Sequence, residues 1–252
     1  MQTKNVTLAV LAGVALTAAP GAATAQQVLT GVEDFRIANV GEGLFGPTRR
    51  NATNSRFQVN GSNPVSSQRN YGLWAAFDLD FDGLFDSSIS QLESVRVDLF
   101  QAQPTTGQDI DNVIRGGTMN VYYTLEDADV LDSSNGFVWD TSDAEGLGSQ
   151  FADRVLVGSI SLSDGNFDAG FDLDLTQIGS SLVDEINGDG FARLIFTSPD
   201  QNFASSWGVG EPGTSSILAF DGPAPTVSFT VPAPGAVVML GLGGLAVSRR
   251  RR

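Results

Sequence analysis

Polar and apolar residues alternate along much of this chain in short runs, each ended by a cluster of Gly, Asn, Asp, Ser or Pro. Phe77, Leu79 and Phe81 alternate with Asp78, Asp80 and Asp82, and Val95, Val97 and Leu99 with Arg96, Asp98 and Phe100. A period of two sends alternate side chains to opposite faces, as in strands with one buried face. Alternating or short apolar runs recur at 28–40, 56–59, 71–81, 92–101, 118–125, 155–162, 171–175, 191–197, 217–220 and 227–231. Many short strands with turn-rich connections predict an all-β chain, a single antiparallel β-sandwich of jelly-roll-like kind. One stretch carries a helical period instead. Ile178, Leu182, Val183 and Ile186 fall on one face of a short helix, with Thr176 as its cap and Asn187-Gly188 as its stop.

The body of this sandwich is expected over 26–221. Two turn-rich spans inside it, 41–68 and 127–153, are too long for compact hairpin loops, so each is expected as a mobile excursion or a binding loop. Gly222-Pro223-Ala224-Pro225 opens a semi-rigid stalk over 222–231, leading to a tail at 232–252.

Both ends of the chain carry targeting chemistry. Lys4 precedes an apolar stretch at 6–19, and Ala23-Thr24-Ala25 supplies small residues at the −3 and −1 positions, predicting a signal peptide over 1–25 cut before Gln26. The other end runs Pro232-Ala233-Pro234-Gly235, then an uncharged apolar stretch to Ser248, then Arg249, Arg250, Arg251 and Arg252. Four arginines stay in water or among headgroups, and after export they would remain on the cytoplasmic face. The 14 residues from Gly235 to Ser248 fall short of the ~20 that a free-standing span needs, so the segment is a marginal or transient hydrophobic anchor helix.

This tail resembles the PEP-CTERM sorting domain of exported bacterial proteins. Pro232 and Pro234 match the motif's prolines, Gly235 its usual follower, Leu240 to Leu245 its apolar helix, and the four arginines its basic end; Ala233 stands where the motif has Glu. The resemblance implies an exosortase-like, transpeptidase-type processing enzyme as a partner. It also implies transient membrane anchorage, then a place at the cell surface or in the extracellular matrix. The body loosely resembles the exported β-sandwich domains called DNRLRE or carbohydrate-module-like, through the strand at 74–79, the next at 92–100, Phe171 to Thr176 before the helix, and the strands at 191–197 and 216–220.

Composition narrows the chemistry. The chain has neither cysteine nor histidine, so it has no disulfide framework, no thiol or Ser-His-Asp catalysis, and almost no zinc or copper chemistry open to it. The body holds all 29 acidic residues against nine arginines, a surface that repels nucleic acid. Asp78, Asp80, Asp82, Gly83 and Asp86 occupy positions 1, 3, 5, 6 and 9 of a calcium loop, but Ile89 stands where the closing acid belongs. Those four aspartates are candidate calcium ligands, with a buried-strand role for the segment as the competing reading; no other cofactor is expected. Trp74 reads as core, whereas Trp139 and Trp207 sit among Asp, Ser and Gly and are the better candidates for exposed stacking on sugar rings, with core filling the leading reading of each taken singly. The seven glutamates are scattered, without a paired-carboxylate signature for glycan hydrolysis. The expected function is therefore a non-enzymatic structural or interaction role in the cell envelope or matrix. Extracellular-polysaccharide binding is the second expectation and a carboxylate-dependent glycan hydrolase the third.

Overall fold

The computed structural model describes residues 24–43, 46–51, 56–62, 70–104, 115–165, 168–210 and 220–232. The leader up to Ala23 and the tail after Pro232 lie outside them. The described elements run in order β1 (Thr24–Thr30), α1 (Gly31–Asp34), β2 (Phe35–Gly43), β3 (Gly46–Asn51), β4 (Arg56–Asn60), β5 (Asn70–Asp80) and β6 (Ser94–Leu99). There follow β7 (Gln103–Pro104), β8 (Gly117–Thr124), β9 (Val155–Leu162), β10 (Ala169–Asp172), α2 (Gly179–Asn187), β11 (Phe191–Thr197), β12 (Ala204–Gly208), β13 (Phe220–Asp221) and β14 (Thr226–Pro232).

The chain is mostly β. A four-stranded sheet has the order β1-β14-β6-β10, and an eight-stranded sheet the order β12-β4-β5-β11-β8-β9, with β2 alongside β5 and β3 alongside β2. All the strand pairs described are antiparallel. The alternation on β6 buries Val95, Val97 and Leu99, and these join Val227 and Phe229 of β14 in one hydrophobic cluster with Phe57, Phe77, Leu79, Val121, Leu194, Phe196 and Trp207 of the larger sheet. Phe77 is its centre, with ring centroids 5.0 Å from Phe35, 5.0 Å from Phe57 and 4.4 Å from Phe196. Each such fully buried ring contributes ~1.5–3 kcal/mol of burial energy.

The span 127–153 is not an excursion. Val130, Phe137, Trp139, Leu147 and Phe151 form a second buried cluster with Ala38, Val40, Trp74, Ala76 and Ile195. These last five lie on the face of the larger sheet that points away from the first cluster, as their alternation with Ile37, Ala75, Phe77, Leu194 and Phe196 requires. The segment is thus an outer layer that seals that face. Phe137 stacks on Phe151 at 4.8 Å and Phe151 meets Trp74 edge-on at 5.6 Å. Phe151 takes a left-handed φ of 55°, a conformation that costs a side-chain-bearing residue ~1–2 kcal/mol and is held here by that packing.

Four other expectations change. The run 28–40 is two strands in different sheets: at Gly31 the φ is +38°, its amide bonds Pro225 O at 2.8 Å, and a Cβ there would sit 2.7 Å from Ala224 Cβ. The stalk at 222–231 is mostly sheet, since Thr226–Pro232 is β14, with β1 on one side and β6 on the other. Within 41–68, Gly46–Asn51 pairs back on β2 as β3. Thr176 does not cap α2; its amide and hydroxyl bond Asp174 Oδ1 at 2.9 and 2.7 Å, and the helix starts after Ile178. Gly188 does stop the helix, donating to Asp184 O and Glu185 O, while Leu182, Val183 and Ile186 are buried. Of the run 217–220, the described residue Phe220 pairs with Pro104.

Candidate functional site

Register builds the main polar feature. Asp78 of β5 stands opposite Arg36 of β2 on one side and Arg193 of β11 on the other. Its carboxylate accepts from Arg193 Nε at 2.6 Å and from Arg36 Nη2 at 2.5 Å and Nε at 3.0 Å. Arg193 is fully buried, donating also to Glu126 O at 2.6 Å and Ala128 O at 3.1 Å. Its guanidinium carbon lies 5.8 Å from the Phe151 ring centre. Arg36 Nη1 reaches Asp129 at 3.1 Å. Burial alone lowers the Arg36 guanidinium, but Asp78 and Asp129 beside it raise it above its ordinary value. In the same row Thr124, opposite Arg193, donates to Asp153 Oδ1 at 2.5 Å. One row across four strands therefore fastens both ends of the outer layer.

Glu145 fastens its middle. Tyr122 OH donates to Glu145 Oε2 at 2.6 Å, Asn120 Nδ2 donates to Oε1, and Thr197 Oγ1 donates to Glu145 O at 2.6 Å. Burial first, and then Glu145, push the Tyr122 phenol well above its usual range.

These bonds revise the candidate sites. Asp78 is nearly buried and committed to two arginines, so the calcium-loop register lacks its first ligand. Asp80, Asp82 and Asp86 are exposed around a turn in which Asp82 N donates to Asp80 Oδ1 at 3.1 Å and Gly83 has φ +67°. Among the described residues no group of three or more acids could hold a metal ion. Trp139 is only 6% exposed and Trp207 fully buried, so neither offers a stacking platform. Trp139 lies against two glycines; a Cβ at Gly72 would meet its ring at 2.2 Å and one at Gly146 at 2.3 Å. Tyr123 is buried, with its hydroxyl 2.9 Å from Ser181 Oγ.

The two ends of the body meet. Thr24 is the register partner of Pro232 and Ala25 of Val231, so the expected cut before Gln26 falls inside β1, and the first proline of the sorting motif closes β14. Strand β1 is an edge strand that buries one side chain, Leu29. Ala23, Ala233, Pro234, Gly235 and the arginines at 249–252 lie outside the described residues.

One polar patch escaped the sequence reading. Along β4, Phe57 and Val59 enter the core while Arg56, Gln58 and Asn60 take the opposite face, and Ser206 of β12 stands opposite Gln58. Arg50 Nη2 donates to Gln58 Oε1 at 2.6 Å, Gln58 Nε2 to Ser206 Oγ at 3.3 Å and Arg56 Nη1 to Ser206 Oγ at 3.2 Å. The signal was present in the alternation Arg56-Phe57-Gln58-Val59-Asn60, which gathers three polar side chains on one face. No protein-family model matches the chain, and no curated protein is similar to it.

Proposed function

We propose that this chain is an exported cell-envelope or extracellular-matrix protein. Its body is a single jelly-roll-like β-sandwich with a structural or interaction role, delivered by a signal peptide and sorted by a C-terminal tail of the PEP-CTERM kind. The observation that supports this most is the pairing of β1 with β14: Thr24 and Pro232 are neighbours, so leader and tail both join the body at one end of one sheet. A non-enzymatic role is supported by how the acids that meet the outer layer are used. Asp78 neutralises two arginines, and Asp153 and Glu145 pin the outer layer.

Pulse labelling with membrane fractionation tests the proposal. The mature chain is expected to begin at Gln26. Deleting residues 249–252 lowers membrane retention, because a short apolar segment without its cytoplasmic charges is poorly held. Changing Pro232→Ala and Pro234→Ala together leaves insertion intact and blocks tail processing. Normal trimming of that double variant would contradict the sorting proposal and leave only a weak tether.

A further inference from the structure

We infer that the leader, while attached, locks the start of the tail, so that removal of residues 1–25 is the step that frees Val231 and Pro232 for tail processing. The order of the two cuts rests on the sorting proposal; the lock rests on strand register alone.

Register supplies the lock. Gly31 N donates to Pro225 O at 2.8 Å, and the ladder continues without a shift through Leu29↔Val227, Gln27↔Phe229 and Ala25↔Val231 to Thr24↔Pro232. Antiparallel partners that exchange backbone bonds recur at every second pair. The bond from Gly31 to Pro225 sets that phase, so Ala25 and Val231 are such a pair, and the one nearest the tail. On its other side β14 pairs with β6 only as far as Thr230↔Ser94, with Thr230 O taking the amide of Glu93 at 2.8 Å. Among the described strand pairs Val231 and Pro232 are therefore held from the β1 side alone, by Ala25 and Thr24. Those two residues are the last of the leader. A cut before Gln26 removes both, and the nearest bonded pair left is Gln27↔Phe229.

The same register makes the two cuts interdependent. A peptide read as an extended strand offers its backbone groups to the enzyme that reads it. Groups already paired in a sheet are withheld until the strand opens, so cleavage waits on that opening. Strand β14 is the last in the chain, so β1 lacks its partner while the leader is first presented for cutting. A chain cut at that stage folds with Val231 and Pro232 released. A chain that folds uncut hides the Ala25–Gln26 bond and the first proline of the motif in one ladder. Thr24 and Ala25 are exposed, so losing them unpairs the end of β14 without removing a core side chain.

Pulse labelling of the wild type and two variants tests the order, with leader and tail cleavage read by mass on the same molecules. Ala25→Leu places a side chain too large for the −1 position and keeps the leader on. Its tail is expected to be trimmed about tenfold more slowly than that of the wild type. Ala25→Leu combined with Gln27→Pro also keeps the leader, but removes the amide that pairs with Phe229, and should be trimmed at the wild-type rate. Equal trimming of the wild type and Ala25→Leu would overturn the inference. So would slow trimming of the double variant, which would assign the delay to the retained leader as a second anchor. Hydrogen exchange at the Val231 amide reads the lock without any processing enzyme. In detergent, the full Ala25→Leu chain should exchange there about tenfold more slowly than the chain beginning at Gln26. Equal exchange would overturn the lock. A wild-type tail that is never trimmed, with Val231 protected only while the leader is attached, would defeat the sorting proposal and leave the lock standing.

Discussion

On β6 of the four-stranded sheet Val95, Val97 and Leu99 are buried and Arg96 is exposed, whereas on β5 of the larger sheet every residue from 72 to 79 is buried. The smaller sheet has one apolar face and one polar face, where Arg96 pairs with Asp98 at 3.1 Å. The larger sheet has two covered faces, one against the shared core and one beneath the outer layer. The same ion pair therefore means different things on the two sheets. On the smaller one it is a solvated surface contact; on the larger one it supplies the opposite charge that a buried guanidinium needs.

The comparison is tested most severely at its charges. Asp78→Ala leaves buried Arg193 without its carboxylate and is expected to destabilise the chain by ~3–5 kcal/mol in denaturant unfolding. The matching change on the smaller sheet, Asp98→Ala, should cost ~0–1 kcal/mol. Equal losses would erase the distinction between the sheets.

Packing gives the next effect. Gly72→Ala pushes a methyl into the Trp139 ring and should cost ~1–3 kcal/mol while shifting tryptophan fluorescence to the red. A neutral substitution would mean that Trp139 moves aside readily.

Glu145→Gln sharpens the comparison at smaller scale. It replaces charge-assisted bonds from Tyr122 and Asn120 with weaker ones, for a loss of ~1 kcal/mol. Spectrophotometric titration should show the Tyr122 phenol falling toward its ordinary range, since Glu145 contributes to its elevation. An unchanged tyrosine titration would remove Glu145 from the account.

Acid should loosen the outer layer mildly before the sheets. The amide of Leu131, and then Arg36, hold the Asp129 carboxyl below 3.8. A depressed carboxyl contributes stability that is present above 3.8 and lost as pH falls through the lower folded value. Tryptophan emission, with Trp139 inside the layer, should therefore shift to the red below pH 3.8, and an unchanged emission from pH 6 to pH 3 would contradict this.

Much of the fold was legible because strands advertise themselves by period. The alternations at 77–82 and 95–100 named β5 and β6, and Ile178, Leu182 and Ile186 named α2. The outer layer was not legible, because Val130, Phe137, Trp139, Leu147 and Phe151 have no common period and lie among turn residues. The sign of its existence lay elsewhere. Leu73 to Phe77 and Leu194 to Phe196 are apolar at consecutive positions, so both faces of those strands needed cover, and only a segment without its own sheet was left to supply it. For Trp139 and Trp207 the core-filling reading holds and the stacking alternative does not: polar neighbours in sequence did not reveal the apolar neighbours in space. The Arg50–Asn60 patch needed register, since Ser206 reaches Gln58 only through the β4–β12 ladder.

The central claim is that 127–153 is a folded layer of the protein and not a mobile loop, and amide hydrogen exchange on the full chain tests it most directly. Leu147, Gly148 and Val138 donate their amides to Asp143 and Gln150 side chains, and Asp140 and Arg154 donate to backbone oxygens within the layer. The account predicts that these amides exchange slowly, within ~10-fold of those in β5 and β11, and that Asp78→Ala accelerates them together. Exchange at the unprotected rate while β5 and β11 stay protected would contradict it.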